Sequence, residues 1–313
     1  MFSSYNLEPF GIELKRLRQL NGLTQADVQA SCGINPDTLR RIENGYTIPK
    51  YETLEILSDL YKVDLLDLLR SYRSNEKLYN YYDRVDSLIC NYDINILKDL
   101  SADFEEFIED GKGDLITPST YDQFKLMIQG ISQYNSMVEK DRLDSLNTFV
   151  KALKLSIQDF ELLNYKNFNY NIMEKRILIL IALGLAEQKN YELSNGYLNK
   201  ALENLDLTSK LEYNVSLLII KIYMQLSYNS YSLSDDLLAL EYADKGINYS
   251  VNNNLMFGLY LLYYRKAVAE FLLKDKNHID SFNKSITLLE IQNKSDLVTL
   301  YKKITLKNYG LNI

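Results

Sequence analysis

The scarcity of turn-forming residues constrains the fold of this chain more than any other feature. Its 313 residues include only 12 Gly and 4 Pro, and long stretches rich in Leu, Ile, Lys, Glu and Tyr carry apolar positions at helical spacing. We therefore predict an all-α protein. The chain is longer than most single compact domains, so two units, or a small domain followed by a repeat array, are the expected organisations.

Charge and cysteine content narrow the class of protein. The formal net charge of −7 argues against a protein that coats nucleic acid indiscriminately, because phosphate binding depends on clustered Lys and Arg. Two cysteines, Cys32 and Cys90, cannot form a disulfide framework, and their spacing matches no zinc pattern. We expect two reduced thiols, no metal and no cofactor.

No segment predicts export or membrane insertion. The N-terminal residues lack the basic start and following apolar run of a signal peptide. The most apolar stretch, Ile177 to Ala186, is too short to cross a bilayer and is typical of a buried helix. We expect a cytoplasmic protein without membrane contact.

The first seventy residues carry the signals of five short helices around one core. The first helix is expected from Ile12 to Leu20, with Ile12, Leu17 and Leu20 on one buried stripe. The fourth is expected to begin at Tyr51, and Asp64 can cap the fifth.

A capping box and a glycine separate the second helix from its neighbours. Thr24 and Asp27 can form the capping box at the start of this helix, in which Ala26 and Val28, or their neighbours, are expected to be buried. Gly33 then permits a tight turn.

The third helix is expected over Pro36 to Asn44, with Asn35 as its N-cap and Gly45 as a left-handed C-cap. Three charged side chains face outward from its first two turns: Asp37, Arg40 and Arg41. Two short helices joined by a Gly-containing turn, the second with a polar N-terminal face, are the helix-turn-helix arrangement.

This segment resembles the Cro/C1-type (XRE) helix-turn-helix family along its whole length. The matching runs are Gly11 to Arg18, Leu23 to Asp27, Gly33-Ile34, Leu39 to Gly45, Ile48-Pro49 and Leu54. The resemblance implies a five-helix DNA-binding domain over residues 1–70, and we expect a linker helix over residues 71–92.

The resemblance also implies roles for individual residues. Gln25 is similar to the family's Gln that clamps a phosphate together with a helix N-terminus. Asp37 and Arg41 would reach a cytosine amine and a guanine, whereas Pro36 departs from the pattern because it has no hydrogen-bonding side chain. The implied DNA-binding residues are Gln25, Asn35, Pro36, Asp37, Thr38, Arg40, Arg41, Lys50 and Tyr51. Arg18 and Glu43 match a family pair that forms an internal salt bridge.

The rest of the chain shows weak internal repetition. Small residues with aromatic neighbours recur at intervals of 49, 45 and 39 residues. The anchors are Ala152, Ala201, Gly246 and Ser285. These segments resemble degenerate tetratricopeptide repeats, whose usual period is about 34 residues. The resemblance implies a right-handed superhelix of stacked helix pairs over residues 93–313.

A stack of helix pairs leaves an extended concave face that suits an extended peptide. In the register set by the anchors, seven first-helix residues are expected on this face: Tyr134, Arg176, Lys221, Met224, Tyr228, Tyr260 and Tyr263. For each tyrosine the alternative is packing in the core, and for each charged residue it is exposure to solvent.

Together the two halves resemble the peptide-pheromone-responsive regulators of Gram-positive bacteria, of the Rgg, PlcR and PrgX type. The resemblance implies a quorum-sensing homodimer that binds an inverted repeat in double-stranded DNA and takes a short signalling peptide on its repeats. A second interpretation stays open, in which the repeats bind a protein partner, as in an antitoxin or a phage switch. No enzyme is expected, because His278 has no nucleophile or carboxylate motif around it.

Overall fold

A computed structural model of the chain describes residue 5 and residues 7–72, 76–109, 118–205, 207 and 211–313. Across these residues sixteen α-helices are joined by turns, which confirms the all-α prediction. The helices are α1 (Leu7–Leu20), α2 (Gln25–Cys32), α3 (Pro36–Glu43), α4 (Tyr51–Tyr61), α5 (Leu65–Ser71), α6 (Glu76–Cys90), α7 (Ile94–Glu109), α8 (Pro118–Tyr134), α9 (Glu139–Lys154), α10 (Ile172–Glu187), α11 (Tyr191–Leu202), α12 (Tyr213–Ser232), α13 (Asp236–Asn252), α14 (Leu259–Leu272), α15 (His278–Ile291) and α16 (Ser295–Tyr309).

Two compact units make up the chain. Unit 1 comprises residues 1–81 and 106–116, and unit 2 comprises residues 82–105 and 117–313. Helices α6 and α7 therefore pass from one unit to the other along their length. Of the predicted linker over residues 71–92, residues 73–75 lie outside the described residues, and α6 occupies most of the remainder.

The core of unit 1 takes one apolar face from each of α1 to α5. Phe10, Leu14 and Leu17 of α1 are buried, at a spacing that places them on one side of the helix. The predicted stripe is wrong at two positions, because Ile12 and Leu20 are 61% and 67% exposed. Ile12 lies two residues, or about 200°, from Phe10 around the helix axis and therefore faces solvent.

The second helix begins as predicted and buries Val28 but not Ala26. Thr24 Oγ1 accepts a hydrogen bond from the Asp27 amide at 3.1 Å, and Asp27 Oδ2 accepts one from the Thr24 amide at 2.8 Å. Val28 is buried, whereas Ala26 is exposed. Two helical positions that are two residues apart lie on opposite sides of the helix, so one core cannot bury both.

Unit 2 is a stack of helix pairs. α8 packs with α9, α10 with α11, α12 with α13, and α14 with α15, and α16 packs on α15. The first helices of successive pairs, α8, α10, α12 and α14, also pack directly on one another. In a solenoid of this kind the helices that lie closest together form the inner, concave side. We call the inward side of these four helices the first-helix face.

α10 lies at the centre of this row. Every residue from Met173 to Leu185 is buried, because α8 and α12 flank α10 while α9 and α11 pack on its other sides. This burial confirms that the apolar run from Ile177 to Ala186 belongs to a buried helix.

The predicted repeat anchors all lie in second helices of the pairs and are all buried. They are Ala152 in α9, Ala201 in α11, Gly246 in α13 and Ser285 in α15. Between paired helices, Ser194 Oγ donates to the Ala182 carbonyl at 2.7 Å, and Ser227 Oγ donates to the Ala239 carbonyl at 2.8 Å. The first-helix residues of the two contacts, Ala182 and Ser227, are 45 residues apart, and so are their second-helix partners, Ser194 and Ala239. This spacing equals the interval between the second and third anchors.

Gly246 offers a test of how closely the helices of unit 2 approach one another. A Cβ atom at this position would lie 2.8 Å from Leu262 Cδ2 and 3.0 Å from Tyr223 Cβ, so a large side chain has no room. We expect Gly246→Leu to lower the free energy of unfolding by about 1–3 kcal/mol, measured by urea denaturation and circular dichroism. Lys245→Leu, on the exposed side of α13, should change it by less than about 0.5 kcal/mol. Equal effects of the two substitutions would contradict the packing.

Candidate nucleic-acid interface and first-helix face

A left-handed turn joins α2 to α3. Gly33 has φ 75°, a conformation that favours glycine, and its amide donates to the Gln29 carbonyl at 2.8 Å. Asn35 caps α3, since its side-chain oxygen accepts from the Asp37 amide at 2.8 Å. Pro36 follows in the first turn, where its missing N–H leaves no bond unmade. The two short helices thus have the helix-turn-helix arrangement.

Close backbone packing fixes α3 against α1. A Cβ atom on Gly11 would lie 2.5 Å from the carbonyl oxygen of Glu43 and 2.6 Å from that of Ile42. Beyond the end of α3, Gly45 has φ 72°, and a Cβ atom there would lie 2.7 Å from Glu8 Cα. Both glycines are therefore required for the two helices to approach each other.

A buried ion pair connects α1, α2 and α3. Arg18 Nε and Nη2 donate to Glu43 Oε1 and Oε2 at 2.6 and 3.1 Å, and Arg18 Nη1 donates to the Leu23 carbonyl at 2.7 Å. Gln25 Nε2 donates to the same Glu43 Oε2 at 2.8 Å. The hydrogen bonds to Glu43 raise the pKa of Arg18, so its guanidinium stays charged. The orientation of Gln25 therefore depends on the Arg18–Glu43 pair.

The outward side of α3 is polar and accessible. The side chains of Asp37 and Arg40 are 77% and 63% exposed and form an ion pair at 2.9 Å. Exposed pairs contribute little to stability, so either residue can exchange its partner for a nucleic-acid group at small cost. Arg41 is exposed as well and has neither an ion pair nor a hydrogen bond from its side chain to any residue that the structure describes.

The other residues predicted to bind DNA differ in how available they are. Four of them are exposed or half-buried: Asn35, Pro36, Thr38 and Lys50. Tyr51 is 57% exposed, but its hydroxyl donates to Glu55 Oε1 at 2.6 Å. This bond raises the pKa of Tyr51. Tyr51 would have to release Glu55, a carboxylate that repels phosphate, before it could donate to a phosphate oxygen.

The seven residues predicted for the ligand surface all lie in first helices of the pairs. They are Tyr134 in α8, Arg176 in α10, Lys221, Met224 and Tyr228 in α12, and Tyr260 and Tyr263 in α14. Their exposure varies: Arg176 and Met224 are buried, Tyr228 is 37% exposed, and the remaining four are half-buried.

Arg176 has a carboxylate partner within unit 2. Its Nε and Nη2 donate to Asp86 Oδ1 and Oδ2, each at 2.6 Å, and its guanidinium lies 5.4 Å from the centre of the Tyr82 ring. Burial raises the pKa of Asp86, and the hydrogen bonds from Arg176 oppose that rise. In this structure Arg176 joins α6 to α10, so a ligand would reach it only by displacing Asp86.

Cations lie against three of the predicted tyrosines, most closely against Tyr228 and Tyr260. The guanidinium of Arg265 lies 4.8 Å from the centre of the Tyr228 ring, and Lys294 Nζ lies 4.6 Å from that of Tyr260. Each is a cation–π contact. The first-helix face around α12 and α14 is therefore aromatic and positively charged.

The sequence prediction omits Asp86 and Arg265 from this surface. Arg265 follows Lys221 by 44 residues, and Lys221 follows Arg176 by 45, so the repeat interval was a signal that could have found Arg265. Asp86 has no comparable signal, because its partner lies 90 residues away in the chain.

His278 begins α15 and packs against a neighbouring aromatic residue. Its ring meets that of Phe271 edge-on at 5.4 Å, and its Nδ1 lies 2.5 Å from the Asp275 carbonyl oxygen. Among the described residues, no group of three His, Cys, Asp or Glu could hold a metal ion. Within the same part of the chain, no helix has the length and apolar character needed to cross a membrane.

The Arg18–Glu43 pair can be tested against an exposed pair of the same type. Glu43→Gln leaves a buried guanidinium without its counter-charge, and we expect it to lower the stability of unit 1 by about 3–5 kcal/mol. Glu13, which pairs with Arg16 at 2.6 Å on the surface of α1, is the matched control, and Glu13→Gln should cost about 1 kcal/mol or less. Hydrogen exchange in peptides from residues 7–72 reports on unit 1 alone. Equal protection in the two variants would contradict a buried, stabilising pair.

Comparison with known proteins supports the helix-turn-helix assignment and the fold. Residues 14–68 match the helix-turn-helix family model. PlcR of Bacillus thuringiensis, solved with the peptide PapR7 and DNA, is 17% identical with a TM-score of 0.66, over 94% of this chain and 99% of that one. ComR of S. thermophilus, solved with DNA and its signalling peptide ComS, is 16% identical with a TM-score of 0.58, over 96% and 100%.

A third structure extends the same similarity. The SHP pheromone receptor Rgg2 of Streptococcus dysgalactiae is 14% identical with a TM-score of 0.55, over 96% of this chain and 99% of that one. A sequence comparison with curated proteins finds no significant match. Residues 14–68 therefore form a helix-turn-helix domain, and the chain as a whole has the fold of PlcR, ComR and Rgg2.

Proposed function

We propose that this chain is a sequence-specific DNA-binding transcriptional regulator whose DNA binding is controlled by a short signalling peptide on the first-helix face. The observation that carries the proposal is the accessible polar side of α3, where Asp37, Arg40 and Arg41 project from a helix held in place by the Arg18–Glu43 pair. An α-helix fits the major groove of B-DNA, where each base pair presents a distinct pattern of donors and acceptors.

Each polar group on this face has a chemical counterpart in DNA. The Arg41 guanidinium can donate two hydrogen bonds to guanine O6 and N7, and the Asp37 carboxylate can accept one from a cytosine amine. Gln25 has two amide hydrogens, of which Glu43 takes one. The second hydrogen is left for a phosphate oxygen at the N-terminus of α2, where the helix dipole also favours a negative charge.

A peptide suits the first-helix face as the controlling ligand. PlcR and ComR, which share the fold, were each solved with both a peptide and DNA. A ligand that binds one arrangement of a dimer better than another shifts the population of that arrangement and with it the affinity for DNA. This mechanism requires no catalytic step. Because the proposed target is DNA, we expect the protein to act in the cytoplasm.

We expect the regulator to act as a homodimer. An inverted repeat is read by two recognition helices whose centres lie one helical turn of DNA apart, about 34–36 Å. Multi-angle light scattering of the intact chain at micromolar concentration should give the mass of a dimer. A monomer under the same conditions would contradict this part of the proposal.

Arg41 provides the direct test of base recognition. We expect in vitro selection with the wild-type protein to yield an inverted repeat, and Arg41→Ala to weaken binding to it by about 1–3 kcal/mol, because a bidentate contact to guanine is lost. Fluorescence anisotropy measures the affinity.

Lys62→Asn is the control for Arg41→Ala, because it also removes one exposed positive charge from unit 1. Lys62 lies in the left-handed conformation at the end of α4, which Asn tolerates. An equal loss of affinity in both variants would show a general charge effect, and no loss for Arg41→Ala would overturn the assignment.

A further inference from the structure

Three positively charged residues recur on successive first helices of unit 2. They are Arg176 on α10, Lys221 on α12 and Arg265 on α14, separated by 45 and 44 residues. Asp86 supplies both of its oxygens to Arg176. Neither Lys221 nor Arg265 forms an ion pair with any residue that the structure describes, so this face holds two cations without a counter-charge.

Arg265 is enclosed on its aromatic side. Its guanidinium lies over the Tyr228 ring, and its Nε is buried without a hydrogen-bond partner among the described residues. Burial lowers the pKa of Arg265 to about 10. An unmade hydrogen bond from a buried charged group is unfavourable, so the site favours an acceptor that can approach it.

Arg265 is therefore stabilised when an anion approaches its guanidinium, because the anion supplies the counter-charge that the described residues do not.

A cavity of about 90 Å³ opens against Arg265. The rings of Tyr228, Tyr231, Tyr264 and Tyr309 contribute to its walls. A single water needs only about 10–15 Å³, so a carboxylate group and its first neighbouring atoms have room there. The aromatic walls suit an apolar group beside that carboxylate.

We propose that Arg265 binds a carboxylate of the signalling peptide, so that the first-helix face selects anionic peptides. This inference rests on the proposed function and adds the chemistry of the ligand and a residue, Arg265, that the sequence prediction omits. The carboxylate can come from the C-terminus of the peptide or from an Asp or Glu side chain, because the guanidinium recognises the same group in both.

Affinity selection with mass spectrometry tests the proposal on the intact protein. The probe is a synthetic pool of short linear peptides that varies all residue types at each position, prepared once with free C-termini and once with C-terminal amides. Enrichment of only the free-acid pool would identify the terminal carboxylate. Enrichment of Asp or Glu in both pools would identify a side chain, and either result supports the proposal.

A variant then assigns the effect to Arg265. For the most enriched peptide, Arg265→Gln should weaken binding by about ten- to a hundred-fold, the range expected for losing a hydrogen bond to a charged group. Lys245→Gln is the control, because Lys245 is an exposed cation of unit 2 that pairs with Glu241 on α13. Circular dichroism establishes that each variant is folded before its affinity is compared.

The possible failures are distinguishable. Peptides that bind without any preference for carboxylates, and equally to wild type and to Arg265→Gln, would overturn this inference and leave the proposed function standing. Retention of no peptide by the wild-type protein would overturn peptide control itself, and this inference with it.

Discussion

The bidentate pair between Arg18 and Glu43 is the interaction on which the N-terminal domain depends. Both side chains are buried, so each charge has lost its hydration and must be compensated by the other and by further hydrogen bonds. Arg18 also binds the Leu23 carbonyl, and Gln25 binds Glu43. One carboxylate thereby fixes α1, α2 and α3 relative to one another. The side chains that we propose for base recognition then project from a backbone whose position is already determined.

In unit 2, one cation of the first helices is compensated by a carboxylate, and two others have no carboxylate partner among the described residues. Asp86 compensates Arg176 and ties α6 to the row of first helices. Lys221 and Arg265, on the next two first helices, have no such carboxylate within the described residues. Because an uncompensated charge that is partly buried is unfavourable, its presence on a concave surface is typical of a binding site and not of a structural core. We therefore propose that the ligand binds around α12 and α14.

Short-range signals made much of the N-terminal domain predictable. The capping box of Thr24 and Asp27 forms within three residues, so it depends on little beyond local sequence. The buried side of α1 was predicted incorrectly, because Phe10, which lies before the predicted helix start, determines that side together with the packing of α3.

In unit 2, the repeat anchors were predictable from spacing. The pairing of Asp86 with Arg176 was not, because it joins residues 90 positions apart.

The proposed function requires that a ligand on unit 2 and DNA on unit 1 influence each other's binding. Thermodynamic linkage makes this coupling measurable, because a ligand that changes DNA affinity by some factor must have its own affinity changed by the same factor when DNA is bound. The direct measurement is a calorimetric cycle with one selected peptide and one selected operator, each titrated with and without the other. We expect the same factor, clearly different from one, in both directions. Equal affinities in the presence and absence of the other ligand would contradict it.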